Sequence, residues 1–165
     1  MSLIHEEMYR RKSYRSIQFD QYLEHFVEGI EADNRALDQN IEIHSDFDSV
    51  ALNLNQAIPC ALITNELVSN ALKFAFEGLD KGSIEISFKH QSGGEVCLCV
   101  KDSGIGLPDD FDLRNSPTLG TTLISSYSDQ MNSRIVINSE NGAEFRITFK
   151  PDLKSVGSGA AHLEV

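Results

Sequence analysis

The sequence predicts a two-layer α/β sandwich, in which helices cover one face of a mixed, mostly antiparallel sheet. Three observations carry this. Residues 55–76 form a long helical run that is apolar on most sides after Cys60, as expected of a helix lying against a sheet. Residues 83–90 and 95–101 alternate as strands around Gln91-Ser92-Gly93-Gly94, a hairpin signal. Residues 133–139 and 143–149 repeat that pattern around Asn141-Gly142.

The remaining elements follow in order. Residues 3–12 read as a charged helix with Leu3, Ile4 and Met8 as apolar contacts. Asp20 is placed to cap a second helix through about Ile30, with Tyr22, Leu23, Phe26, Val27 and Ile30 at helical spacing. Residues 40–47 alternate as a strand, Ile41 and Ile43 opposite Glu42 and His44. Pro59 belongs near a helix start or a break. Residues 102–118 are a Gly/Pro/Asp/Ser loop with one helical turn near Phe111, and 119–131 fit a helix. From Pro151 the chain is Gly/Ser/Ala-rich and expected to be disordered.

Composition narrows the function. With 165 residues and 41% hydrophobic content the chain can bury a core. Its net charge of -11 repels nucleic acid and anionic membranes, so no nucleic acid partner is expected. A local pocket can still oppose that field and hold an anionic ligand. Three cysteines, Cys60, Cys97 and Cys99, form no CxxC pair. They read as buried free thiols of a reducing compartment. No apolar run reaches membrane-spanning length.

Three segments carry chemistry. In Asn65-Glu66-Leu67-Val68-Ser69-Asn70-Ala71-Leu72-Lys73, helical geometry puts Glu66, Asn70 and Lys73 within a sector of about 60°. Polar groups on so apolar a helix need partners. A structural polar network would supply them. So would a metal–polyphosphate site, with the Asn70 carbonyl on Mg²⁺, Lys73 facing phosphate and Glu66 orienting a nucleophile. Asp102-Ser103-Gly104-Ile105-Gly106 follows a strand. It reads either as a surface turn or as a wall where Asp102 accepts from an exocyclic amine and two glycines allow close approach. Leu119-Gly120-Thr121 opens a helix whose free N–H groups attract phosphate. The chain has neither a P-loop nor a protein-kinase HRD or DFG set.

Together these segments resemble the ATPase domain shared by sensor histidine kinases, DNA gyrase, Hsp90 and MutL, the Bergerat ATP-binding fold. Residues 65–75 resemble its N box, 102–106 the next box, and Leu119-Gly120 its glycine box. Ala57-Ile58-Pro59-Cys60, Ile4-His5-Glu6-Glu7 and Ile17-Gln18-Phe19-Asp20 resemble histidine kinases with a HisKA_2-type dimerisation region.

The resemblance implies ATP and Mg²⁺ as cofactors. Asn70 would ligate Mg²⁺ and Lys73 face the phosphates. Asp102 would read adenine, flanked by Gly104, Ile105 and Gly106. Residues 107–119 would form the ATP lid, and Leu119, Gly120 and Thr121 would hold phosphate. Glu66 and Lys73 would serve phosphoryl transfer to a histidine on a missing upstream dimerisation domain. No acceptor motif precedes His5. The implied partners are the protein's own phosphoacceptor helices in a full-length homodimer, and a response-regulator receiver domain. The implied organisation is a dimerisation-helix end and link over 1–18, a catalytic domain over 19–150 and a tail over 151–165. The implied setting is a cytoplasmic domain of a soluble or membrane-anchored protein. Ala143 stands where the family commonly has threonine. Two alternatives share the fold: an anti-sigma-factor-like serine kinase, and a degenerate nucleotide pocket serving as a protein-interaction module.

Overall fold

A computed structural model describes residue 3 and residues 16–115 and 119–152. The expected helix over 3–12, apart from Leu3, and the tail beyond Asp152 lie outside the described residues.

Strand β1 (Ile17–Gln18) leads directly into helix α1 (Phe19–Ala36). Strands β2 (Ile41–Phe47) and β3 (Ala51–Leu52) follow, then helix α2 (Leu54–Asn70), which runs on into a π-helical turn at Ala71–Ala75. Strands β4 (Gly82–His90) and β5 (Val96–Asp102) form the first expected hairpin. Helix α3 (Leu119–Gln130) precedes β6 (Arg134–Asn138) and β7 (Glu144–Phe149). The main sheet has the order β2-β4-β5-β7-β6. Among the described residues only β2 and β4 pair in parallel. Parallel neighbours need a long crossover, and α2 lies within it. The sheet is therefore mixed and mostly antiparallel.

Alternation decides which face is covered. On β4, Ile84, Ile86 and Phe88 are buried while Glu85 is exposed; on β5, Val96, Leu98 and Val100 are buried. These residues join Phe19, Leu23, Ile63, Leu67 and Ile124 from the helices in one core cluster. Phe88 anchors it, edge-on to Phe19 at 5.2 Å and stacked with Phe149 at 6.4 Å between ring centroids. Cys97 and Cys99 alternate to the other face yet are still buried, because β5 is flanked on both sides. All three cysteines are free thiols.

Three local expectations change. Asp20 does not cap α1: Gln18 holds that position without a side-chain bond, and Asp20 Oδ1 accepts from Val50 N at 3.4 Å. The helix runs six residues past Ile30, because Asn34 is buried and Leu37 N donates to Asp33 O. The cap of α2 is Asn53, whose Oδ1 accepts from Gln56 N at 3.0 Å. Pro59, expected near a helix start or a break, is the sixth residue of an unbroken α2, past the first turn, and offers no N–H to the carbonyl of Asn55.

Entry and exit of the chain meet at one place. β1 pairs with β3 through Ile17–Leu52 and Gln18–Ala51. Immediately after β3, buried Gln56 donates to Lys150 O and accepts from Asp152 N, each at 2.9 Å, and Asn53 Nδ2 donates to Asp152 O. The segment after β7 is thus held by the first turn of α2, whose last turns carry Glu66 and Asn70. No described helix is long and apolar enough to cross a membrane.

Candidate nucleotide site

Asp102 closes β5 and is buried, 6% exposed. Its Oδ1 accepts from Gly104 N at 2.9 Å and from Ala143 N at 3.2 Å. Its backbone N–H donates to Ala143 O at 2.9 Å. One carboxylate oxygen is thus committed to the fold; among the described residues Oδ2 has no hydrogen-bond partner. That oxygen is not fully enclosed, for the described buried side-chain atoms without a partner are Asn34 Nδ2 and Ser125 Oγ, so it is open to a donor from a ligand or water.

Glycines let three backbones close around this carboxylate. A Cβ on Gly142 would stand 2.0 Å from Asp102 O, and Gly142 also holds φ 88°. A Cβ on Gly104 would stand 2.1 Å from Ala75 O, while Ile105 N donates to that same carbonyl at 2.8 Å. The π-helical turn puts Ala75 O there, since widening the last turn redirects its carbonyls. Gly106, at φ 80°, would place a Cβ 2.8 Å from Ser139 Oγ, which accepts from Leu107 N at 2.7 Å. Ser103 Oγ accepts from Ser83 N at 2.9 Å. Ile105 is 62% exposed, an apolar group presented outward beside a buried carboxylate.

The other two segments meet each other. Gly120, in the first turn of α3, lies over α2: a Cβ there would stand 2.9 Å from Glu66 Oε2 and 3.6 Å from Asn70 Nδ2. Thr121, next along, is buried and partnered. Leu119 opens α3. The structure therefore brings Glu66, Asn70 and Gly120 together, and separately Asp102, Gly104, Ile105 and Gly106, with Ala75 linking the second group to the end of the N-box segment.

Lys73 stands apart from the stripe expected for it. The α-helix that carries Glu66 and Asn70 ends at Asn70, and Lys73 falls in the π-helical turn Ala71–Ala75 beyond it. Lys73 is exposed and lines a surface groove with Gln39, Asn40, Phe74, Phe76 and Glu77. None of residues 102–106 or 119–121 lines that groove. Sequence reasoning also missed Ser139 and the Ala75 carbonyl, because each acts through a hydrogen bond that no local pattern announces.

This sheet order, with α2 and α3 on one face and the glycine loop abutting the end of α2, is the Bergerat ATP-binding fold. Residues 55–155 match the family described as histidine kinase-, DNA gyrase B- and HSP90-like ATPases, and the chain belongs to that family. It is similar to a blue-light-activated histidine kinase of Erythrobacter litoralis, 29% identical over 84 residues, which are 51% of this chain and 24% of that protein. It is also similar to the sensor histidine kinase PdtaS of Mycobacterium tuberculosis, 31% identical over 93 residues, 56% of this chain and 18% of that one. The matched segments thus make up about a quarter or less of these curated relatives. Among solved structures, a histidine kinase domain from Erythrobacter litoralis superposes with a TM-score of 0.80 at 21% identity, over 90% of this chain and 70% of that one. The catalytic domain of histidine kinase ThkA gives a TM-score of 0.69 at 20% identity, over 86% and 98%. At such identities the likeness shows the fold.

Proposed function

We propose that this chain is the ATP-binding catalytic domain of a two-component sensor histidine kinase. It would deliver the ATP γ-phosphoryl group to a histidine on dimerisation helices of the full-length homodimer. The observation that supports this most is the Asp102 carboxylate. It is buried, held by two backbone N–H groups on one oxygen, and has its other oxygen unpartnered among the described residues. An adenine amino group is the kind of donor that oxygen accepts.

The residues present fit Mg·ATP. Asn70 offers an amide oxygen of the kind Mg²⁺ takes. No three His, Cys, Asp or Glu side chains converge among the described residues. A Mg²⁺ ion held through Asn70 would then complete its shell with phosphate and water oxygens, as that ion commonly does. When bound it would neutralise charge developing on the transferred group. Gly104 and Gly106 keep side chains off the adenine wall; Ile105 offers the base an apolar surface. Leu119, Gly120 and Thr121 present first-turn N–H groups of α3 for phosphate. Glu66 lies where it can orient the incoming nucleophile, and Lys73 would reach the phosphates from the turn beyond Asn70.

The names of both curated relatives favour the histidine kinase reading over the anti-sigma-factor-like serine kinase and the degenerate module. The proposal extends to a response-regulator receiver domain as the final acceptor, and to a cytoplasmic setting. The test is to supply radiolabelled Mg·ATP to the full-length protein. Acid-labile, alkali-stable label on a histidine upstream of this chain is expected. Label on serine of a partner, or none with ATP bound, would overturn the assignment in favour of the respective alternative.

A further inference from the structure

The connection between β6 and β7, residues 139–143, reaches residues 102–107 at two places. At one end Ala143 N donates to Asp102 Oδ1 at 3.2 Å, and Ala143 O accepts from Asp102 N at 2.9 Å. At the other end Ser139 Oγ accepts from Leu107 N at 2.7 Å. Residue 143 thus faces 102 and residue 139 faces 107, so the two segments run antiparallel. Between these ends Gly106 is seated against the connection. A Cβ there would stand 2.8 Å from Ser139 Oγ, 3.3 Å from Ser139 O and 3.7 Å from Gly142 O.

Three backbone N–H groups give residues 102–107 their shape. Gly104 N donates to Asp102 Oδ1 at 2.9 Å, and Ile105 N to Ala75 O at 2.8 Å. Both of these ties precede Gly106, where the chain turns with φ 80°. The tie beyond the turn is the bond from Leu107 N to Ser139 Oγ. Glycine loses more conformational freedom on ordering than any other residue, so the Gly106 turn is held only as well as its two flanks are anchored. Ser139 is exposed. Without its hydroxyl, water can reach Leu107 N, and the turn loosens without stranding a buried donor.

We infer that Ser139 is a positioning residue for adenine: its hydroxyl anchors the far side of the Gly106 turn and so holds Ile105 where it offers adenine an apolar surface. Ser139 acts through Leu107 and Gly106. The same connection fixes Leu107 through Ser139 at one end and the Asp102 carboxylate through Ala143 at the other. The polar and the apolar part of the adenine wall are therefore set relative to each other by one short piece of chain. Pre-set walls of this kind spare a ligand the cost of ordering them. The inference rests on the nucleotide site proposed above.

A positioning role and a merely structural bond differ in which part of the nucleotide feels the change. ATP is titrated into the parent, Ser139→Ala and Ser139→Thr, and adenosine and tripolyphosphate are measured by competition against it. Positioning predicts that Ser139→Ala weakens ATP and adenosine by the same factor, about two- to tenfold, the worth of one hydrogen bond. Tripolyphosphate should bind unchanged, and Ser139→Thr, which keeps an acceptor oxygen, should bind as the parent does. Adenosine bound equally well by the parent and Ser139→Ala would overturn the inference. So would a tripolyphosphate shift equal to that of ATP, or a threonine variant as weak as the alanine one. Should the parent bind no nucleotide, the site reading fails and the adenine role falls with it. The anchor itself is then judged by amide exchange. Faster exchange at Gly106 and Leu107 in Ser139→Ala, reversed in Ser139→Thr, upholds it, and unchanged exchange overturns it.

Discussion

Gly120 and Glu66 are packed so closely that a single methyl group at residue 120 would lie 2.9 Å from Glu66 Oε2. The contact joins the first turn of α3 to the last turns of α2, and Asn70 shares it at 3.6 Å from the same point. Any preference for glycine here comes from proximity, since Gly120 has no positive φ.

Gly120→Ala is accordingly expected to separate folding from binding. The crowded atom is the tip of a flexible side chain, which can rotate away at a cost within about 1 kcal/mol. Thermal melting should stay close to the parent while Mg·ATP affinity falls, because the displaced carboxylate and the new methyl group intrude on the phosphate end. A large drop in melting temperature with affinity intact would show this packing to be purely structural.

Gly104→Ala and Gly142→Ala meet backbone instead, Ala75 O at 2.1 Å and Asp102 O at 2.0 Å. Backbone cannot rotate aside, so overpacking should cost about 1–3 kcal/mol, and Gly142 loses roughly another 1–2 kcal/mol through its left-handed φ. Calorimetric melting should find both below Gly120→Ala, with Gly142→Ala lowest. Equal melting of all three would contradict the close approach.

The Gln56 clasp makes a prediction on stability. Replacing Gln56 by Ala removes its bonds to Lys150 O and Asp152 N, a loss of about 1–3 kcal/mol for part-buried groups. Denaturant unfolding should show that loss, and amide exchange at Asp152 should accelerate. Unchanged exchange there would mean that the chain leaving β7 is held by other means.

Alkaline pH should weaken the fold. Burial pushes the Cys60 thiol up, and the Cys99 thiol up to about 12, the latter with help from the Glu144 carboxylate. Burial also raises the Tyr22 phenol. In each case the folded state keeps its proton at a pH where the unfolded chain has lost it. Stability is therefore fully present below the unfolded thiol value of about 8.5 and declines as pH rises beyond it. Unfolding followed from pH 7 to 10 should show this decline, reduced in Cys60→Ala once each curve is compared with its own pH 7 value. The same burial predicts that no thiol of the folded protein reacts rapidly with a thiol-specific reagent.

Much of this was legible from spacing. Alternation in 83–90 and 95–101 announced β4 and β5, since a one-residue slip would expose Ile84, Ile86 and Phe88 together. The boxes at 65–75 and 102–106 could be found because each combines polar residues with glycine or apolar neighbours in a fixed order. Three features were not legible. The π-helical turn at Ala71–Ala75 breaks the α-helical period invisibly, because Ala, Leu, Lys and Phe all suit an ordinary helix. Asp20 looked like a cap but was drawn to Val50 N by the β1–β3 pairing, thirty residues away. The loop before β7 looked like a tight Asn-Gly turn, yet Gly142 is buried and its strands stop at Asn138 and Glu144. There the demand came from Asp102, across the sheet.

The central claim is that Asp102 and Asn70 together hold Mg·ATP, and calorimetric titration tests it most directly. ATP is titrated with and without Mg²⁺ into the parent, Asp102→Asn and Asn70→Ala. Asparagine at 102 can still accept from Gly104 N and Ala143 N, but would turn an N–H toward the adenine amine. Binding by the parent, weakened about tenfold or more by Asp102→Asn, and loss of most of the Mg²⁺ dependence in Asn70→Ala, are the results predicted. A folded parent that binds no ATP, or an Asp102→Asn variant that binds it as well as the parent, would contradict the account.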